Sequence, residues 1–130
     1  MTPRRVEPDD HYTAGQKVLM GEDDLLAGIT EALTLSGWRW HHLIRSDGVT
    51  MGSAGLPDIL AVHPSRGMAL AWELKGTDGR PTGDQVAWIA SFAAICGVDA
   101  RIVWPADYDR ALDYILGRSP AFDTIVPPLR

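Results

Sequence analysis

The sequence predicts an α/β fold, a small sheet with helices on both faces, on three observations. Two short apolar runs, Ile59 to Val62 and Met68 to Leu74, flank the turn signals His63-Pro-Ser-Arg-Gly67 and read as a β-hairpin. A helical pattern separates the hairpin from a later strand, which is how a chain reaches another position in the same sheet. A helical pattern also stands at each end of this set, so the order is helix, three strands, helix, strand, helix.

Residues 1–20 carry Pro3, Pro8 and Gly15 with mixed charge and little periodicity, and read as an N-terminal arm. From Glu22 to Ser36, Leu25, Leu26, Ile29, Ala32 and Leu33 recur at helical spacing, Gly37 supplies the stop, and Glu22 falls on the inward face of the first turn. Trp38 to Arg45 alternates, with Trp38, Trp40, His42 and Ile44 on one side, as a first strand. Ser46 to Ala54 connects it to the hairpin. The hairpin strands are apolar on both faces, Leu60, Val62 and Ala71 on one and Ile59, Ala61, Leu70 and Trp72 on the other, which predicts central strands covered on both sides. The Trp residues at 38, 40, 72 and 88 read as core.

Gly76 to Gly83 is a polar loop containing Arg80. Thr82 followed by Gln85 is a capping-box signature, opening a helix through Val86, Ile89, Ala90, Ala93 and Cys96 that Gly97 closes. Val98 to Trp104 is the fourth strand, Pro105 ends it, and Asp107 is placed to cap a last helix reaching about Leu116. Residues 118–130, with Pro127 and Pro128, form a tail, leaving residues 21–117 as one domain.

A chain of 130 residues with 45% hydrophobic and 22% charged side chains can build a core without disulfides or zinc. The single Cys96 excludes a disulfide framework and a cysteine metal site. No segment approaches a membrane span, and the charged N-terminus does not read as a signal peptide, so a cytoplasmic protein is expected. The net charge of −5 runs against the basic character of most nucleic-acid-binding domains. Carboxylates of a metal site count as negative until the metal binds, however, and clustering of positive charge on one face matters more than the total.

Chemistry concentrates at Gly55-Leu-Pro-Asp58 and Glu73-Leu-Lys75. Antiparallel pairing about a turn centred between Ser65 and Arg66 sets Asp58 opposite Glu73, and alternation puts Lys75 on the same face. Directly opposed Cα atoms lie roughly 4.5 to 5.5 Å apart, where like charges destabilise a ladder. A divalent cation between the carboxylates removes that conflict, since hard ions take one or two carboxylates with carbonyls, waters and phosphate oxygens.

With these residues in place the sequence resembles the PD-(D/E)XK nucleases, and within them the VRR-NUC and phage Holliday-junction-resolvase-like branch. The similarity runs from Glu22 to about Ile115 through Gly37-Trp38, His42, Gly55-Leu-Pro-Asp58, Glu73-Leu-Lys75, Gly79-Arg80, Gln85 with Trp88, Gly97 and Val103-Trp104-Pro105 before Asp107. It implies the restriction-endonuclease-like core, αβββαβ with a C-terminal helix and a four-stranded mixed sheet flanked by helices. It further implies metal-dependent, structure-selective hydrolysis of DNA. Asp58, Glu73 and the backbone carbonyl of Leu74 would bind Mg²⁺ or Mn²⁺, with Glu22 completing the shell directly or through water. Lys75 would orient or activate the attacking water and Gln85 would stand near the scissile phosphate. Arg39, His42, Arg45 and Arg80 are candidates for contact with DNA. Branched or structured DNA and a second copy in a homodimer are the expected partners, in a bacterial cell or phage-infected host, with no membrane and no organic cofactor.

Blander readings stand beside these. Glu22 suits a helix N-terminus by charge alone, Gln85 fits a capping box with no chemistry, and His42 suits a partly buried place in an aromatic strand. A catalytically inactive nucleic-acid-binding or protein-interaction module on the same fold is the alternative function.

Overall fold

The computed structural model describes residues 20–43, 54–119 and 122. Most of the expected N-terminal arm, Ile44 and Arg45 of the expected first strand, the connection after it as far as Ser53, and most of the C-terminal tail therefore lie outside the described residues. Among those described, the elements follow the expected order: α1 (Glu22–Leu35), β1 (Arg39–His42), β2 (Ile59–His63), β3 (Met68–Leu74), α2 (Gly83–Ala93), β4 (Val98–Val103) and α3 (Tyr108–Ile115). They form an α/β fold around one mixed sheet ordered β1-β2-β3-β4. β1 to β3 pair antiparallel and β4 lies parallel to β3, reached through α2, because a parallel return needs a crossover rather than a hairpin.

The hairpin has the expected register, from Ile59 opposite Trp72 to His63 opposite Met68. Its connection is a 3-10 turn, Pro64–Arg66, ended by Gly67 at φ 64°, a left-handed conformation that glycine adopts without Cβ strain. Arg66 then reaches across the molecule and donates to the carbonyls of Ile115 at 2.9 Å and Tyr114 at 3.2 Å. Those carbonyls lie in the last turn of α3, past the reach of its regular bonds, and that of Tyr114 also accepts from Gly117 N–H at 3.2 Å. Trp38 Nε1 also donates to the Ile115 carbonyl, at 3.0 Å.

α1 and α3 cover one face of the sheet, where Leu25, Ile29, Leu33, Trp38, Ile59, Leu70, Trp72, Val103 and Ile115 make the main core. α2 packs against β4 and β3 on the other face, burying Ala71, Ile89 and Ile102. Because α2 lies over only half of that face, the hairpin is not covered on both sides as expected: Val62 is 42% exposed and Leu60 only half-buried.

Four other expectations need correction. Trp40 is not core but stands on the edge strand, 37% exposed, with Nε1 donating to Thr34 Oγ1 at 3.0 Å. α2 stops at Ala93, so Cys96 lies beyond it and is exposed, and Ala90 and Ala93 face solvent. Asp107 does not cap α3 with its side chain. The chain turns one step earlier, in a 3-10 turn at Pro105–Asp107, and Asp107 Oδ2 accepts from Trp104 N–H at 3.0 Å. Glu22 is exposed at the first residue of α1 rather than inward-facing. Among the described residues no helix is long and apolar enough to cross a membrane.

Candidate functional site

Asp58 and Glu73 come together because the hairpin register continues one step past Ile59 and Trp72. Two backbone bonds fix Asp58: its carbonyl accepts from Leu43 N–H at 2.8 Å, extending the β1–β2 ladder, and its Oδ2 accepts from Leu74 N–H at 2.9 Å. The aspartate thus replaces the next rung of the β2–β3 ladder with its side chain. In an extended antiparallel strand a residue's N–H and C=O point to the same neighbour. Leu74 therefore turns its carbonyl toward Asp58 too, while the N–H of Lys75 goes the other way, to Val103 O at 3.1 Å.

Glu73 is only 2% exposed, and a buried charge is costly without compensation. Compensation comes from two donors to the same oxygen: Gln85 Nε2 donates to Glu73 Oε2 at 2.8 Å, and Lys75 Nζ stands 3.3 Å from it. Gln85 serves two purposes at once. Its Oε1 accepts from Thr82 N–H at 2.9 Å, and Thr82 Oγ1 accepts from Gln85 N–H at 3.1 Å, so the capping box that starts α2 also aims the amide at Glu73. The capping reading of Gln85 is therefore realised, and the same side chain reaches the carboxylate.

The loop before Asp58 is held against this cap. Gly55 is buried at φ 90°, and a Cβ there would lie 2.6 Å from the backbone carbon of Asp84 and 2.8 Å from the nitrogen of Gln85. Only glycine permits that approach.

The result is an open concavity of about 290 Å³ at the end of the sheet, between the start of α1 and the start of α2, lined by Glu22, His42, Leu43, Asp58, Glu73, Lys75 and Gln85. Of the residues named from the sequence, Glu22, His42, Asp58, Glu73, Lys75 and Gln85 meet here. Arg39 and Arg80 are exposed elsewhere, and Arg45 lies outside the described residues. Leu43 was not anticipated, although the β1–β2 pairing that carries Asp58 places it directly opposite.

Two carboxylates and a strand carbonyl form an all-oxygen donor set, which suits a hard divalent cation such as Mg²⁺ or Mn²⁺. Among the described residues no group of three or more His, Cys, Asp or Glu stands close enough to hold a metal by itself. Such a cation would rest on Asp58, Glu73 and the Leu74 carbonyl, with water and substrate completing its shell, and Glu22 lines the same concavity. Comparison of the chain with family models, curated proteins and solved structures found no match.

Proposed function

We propose that this chain is a metal-dependent endodeoxyribonuclease with a PD-(D/E)XK core, hydrolysing phosphodiester bonds of branched or structured DNA in the cytoplasm of a bacterial cell or phage-infected host. The observation that carries the reading is the opposed pair Asp58 and Glu73, with Asp58 pinned by Leu74 N–H and Lys75 on the Glu73 side. A purely structural hairpin has no reason to set two carboxylates face to face at a concave sheet end.

In this reading Asp58, Glu73 and the carbonyl of Leu74 would hold Mg²⁺ or Mn²⁺, and Glu22 would complete the shell directly or through water. When bound there, such a cation would lower the pKa of water and offset charge developing on phosphate oxygens. Lys75, paired with Glu73 at 3.3 Å, orients the attacking water and donates toward the charge that grows on phosphorus-bound oxygen. Gln85 holds the Glu73 carboxylate in place. His42, on the wall of the concavity, and Arg39 and Arg80, outside it, contact the DNA backbone.

A single set of these residues per chain cuts one strand, so symmetric cutting of a four-way junction requires two copies, and a two-fold dimer is the commonest closed assembly. Light scattering should report a dimer, and a strict monomer that ignores four-way junctions would remove the resolvase part of the reading alone.

The second reading, an inactive nucleic-acid-binding or protein-interaction module, is favoured by the net charge of −5 and by the lack of a three-ligand group among the described residues. A Mn²⁺ titration separates the two. Binding to the native state alone adds about 2.7 kcal/mol at a concentration near 100 times the dissociation constant. The nuclease reading requires a raised melting temperature that Asp58→Asn blunts, and no shift in the wild type favours the inactive module.

A further inference from the structure

The sheet face that carries Asp58 and Glu73 continues beyond the concavity. Alternation puts Leu60 and Val62 of β2 and Ala69 and Ala71 of β3 on that same face. α2 lies over β3 and β4, and among the described residues the rest of the face is an open groove of about 530 Å³, larger than the concavity itself. Its floor is aliphatic. One wall is β1, where Arg39 and His41 stand opposite Val62 and Leu60, and the other includes the half-buried Phe92 of α2. Arg39 and His41 are the lining residues able to carry charge, and both are basic in a chain of net charge −5.

We propose that this groove takes an unpaired nucleotide of the DNA, its base against Phe92 and the aliphatic floor and its phosphate toward Arg39 and His41. That this nucleotide adjoins the scissile phosphate rests on the nuclease reading of the neighbouring site. Three observations favour this occupant. Leu60 is one same-face step, about 7 Å, from Asp58, so the floor of the groove begins beside the carboxylates. Its volume falls within the roughly 300 to 1,000 Å³ of pockets that enclose small ligands between apolar walls and a few polar groups. A base locked in a duplex cannot lie flat on a sheet face, whereas an unpaired one stacks on an aromatic side chain while its phosphate meets a cation. A second copy of the chain is a poorer occupant. A two-fold contact brings the same patch to itself, which would gather two Arg39 and His41 sets with no acidic lining residue to oppose them.

The test is fluorescence anisotropy of a labelled eight-nucleotide oligothymidylate in EDTA, where nothing is cut. Wild-type protein should bind it. Val62→Glu and Arg39→Glu, both at exposed positions, should each weaken binding at least about tenfold, the scale of one lost stacked base. Leu35→Glu, a control at a site 76% exposed on α1 across the sheet, should change it less than twofold. Thermal melts establish that each variant is folded, and Arg39→Glu decides the matter if Val62→Glu is not. Absence of binding by the wild type, or an equal loss in Leu35→Glu, overturns the proposal. Conversion of a dimer to monomer by Val62→Glu with oligothymidylate binding intact also overturns it, and assigns the face to a contact between copies. Groove-dependent binding by a protein that cuts no DNA upholds the groove and removes the nuclease reading. Cutting by a protein whose oligothymidylate binding ignores both substitutions does the reverse.

Discussion

Replacing Gln85 with methionine isolates the link between the start of α2 and the buried carboxylate. The methionine fills nearly the same volume, so little water can enter in place of the amide. What is lost is the 2.8 Å donation to Glu73 Oε2 and the 2.9 Å bond from Thr82 N–H. A hydrogen bond to a buried charged group contributes about 1.5 to 3 kcal/mol, and half of a helix cap about 0.5 to 1 kcal/mol. Gln85→Met should therefore lower the unfolding free energy by about 2 to 4 kcal/mol, read as a shifted urea midpoint at unchanged slope. Thr82→Ala, which removes the cap hydroxyl but leaves the amide near Glu73, should cost only about 1 kcal/mol. The two variants should also differ in cleavage, because only the first removes the Gln85 donation to the Glu73 carboxylate. A Gln85→Met protein as stable as Thr82→Ala, and cutting as fast, would refute the claim that the capping box positions Glu73.

Three further outcomes follow from the same geometry. Gly55→Ala must place a Cβ 2.6 Å from the Asp84 backbone at φ 90°; it should destabilise by at least about 2 kcal/mol in urea unfolding and weaken Mn²⁺ binding as the Asp58 loop lifts from α2. Lys75→Ala should retain Mn²⁺ affinity by calorimetry but lose most single-turnover cleavage, and weakened metal binding with normal chemistry would contradict its role. Burial, and secondarily the charge of Asp99, raise the Tyr114 phenol above its ordinary 10.0 against the opposing pull of Arg101 and Arg66. The neutral phenol's contribution is whole below the unfolded pKa and is lost as pH rises through the folded one. Stability should thus fall above about pH 10, and Tyr114→Phe should remove that part of the fall.

The hairpin was legible because its register is local. The turn at Pro64 to Gly67 fixes which residues face each other, and the face of Asp58, Glu73 and Lys75 follows from alternation. The start of α2 was legible for the same reason, since a capping box is a contact between residues three apart. Val62, Ala90 and Ala93 were misread for the opposite reason. Periodicity tells which side chains share a face, but whether the face is covered depends on where α2 comes to rest, and it lies over β3 and β4 rather than across the sheet. The packing of Gly55 on Asp84, and the return of Asp107 to Trp104 N–H, are set by the paths of loops and leave no periodic trace. Glu22 showed the limit of a helical wheel at a helix's first residue, where inward and outward are not yet defined by neighbouring turns.

The most direct measurement is cleavage of a panel of linear, flapped, bubble and four-way DNA in Mn²⁺ by the wild type, Asp58→Ala and Glu73→Ala, each checked for a folded thermal transition. The wild type should cut at least one branched substrate, EDTA should abolish the cutting, and both variants should be folded and inactive. A folded Asp58→Ala or Glu73→Ala protein cutting at the wild-type rate, or a wild type that cuts none of the panel while binding Mn²⁺, would contradict this.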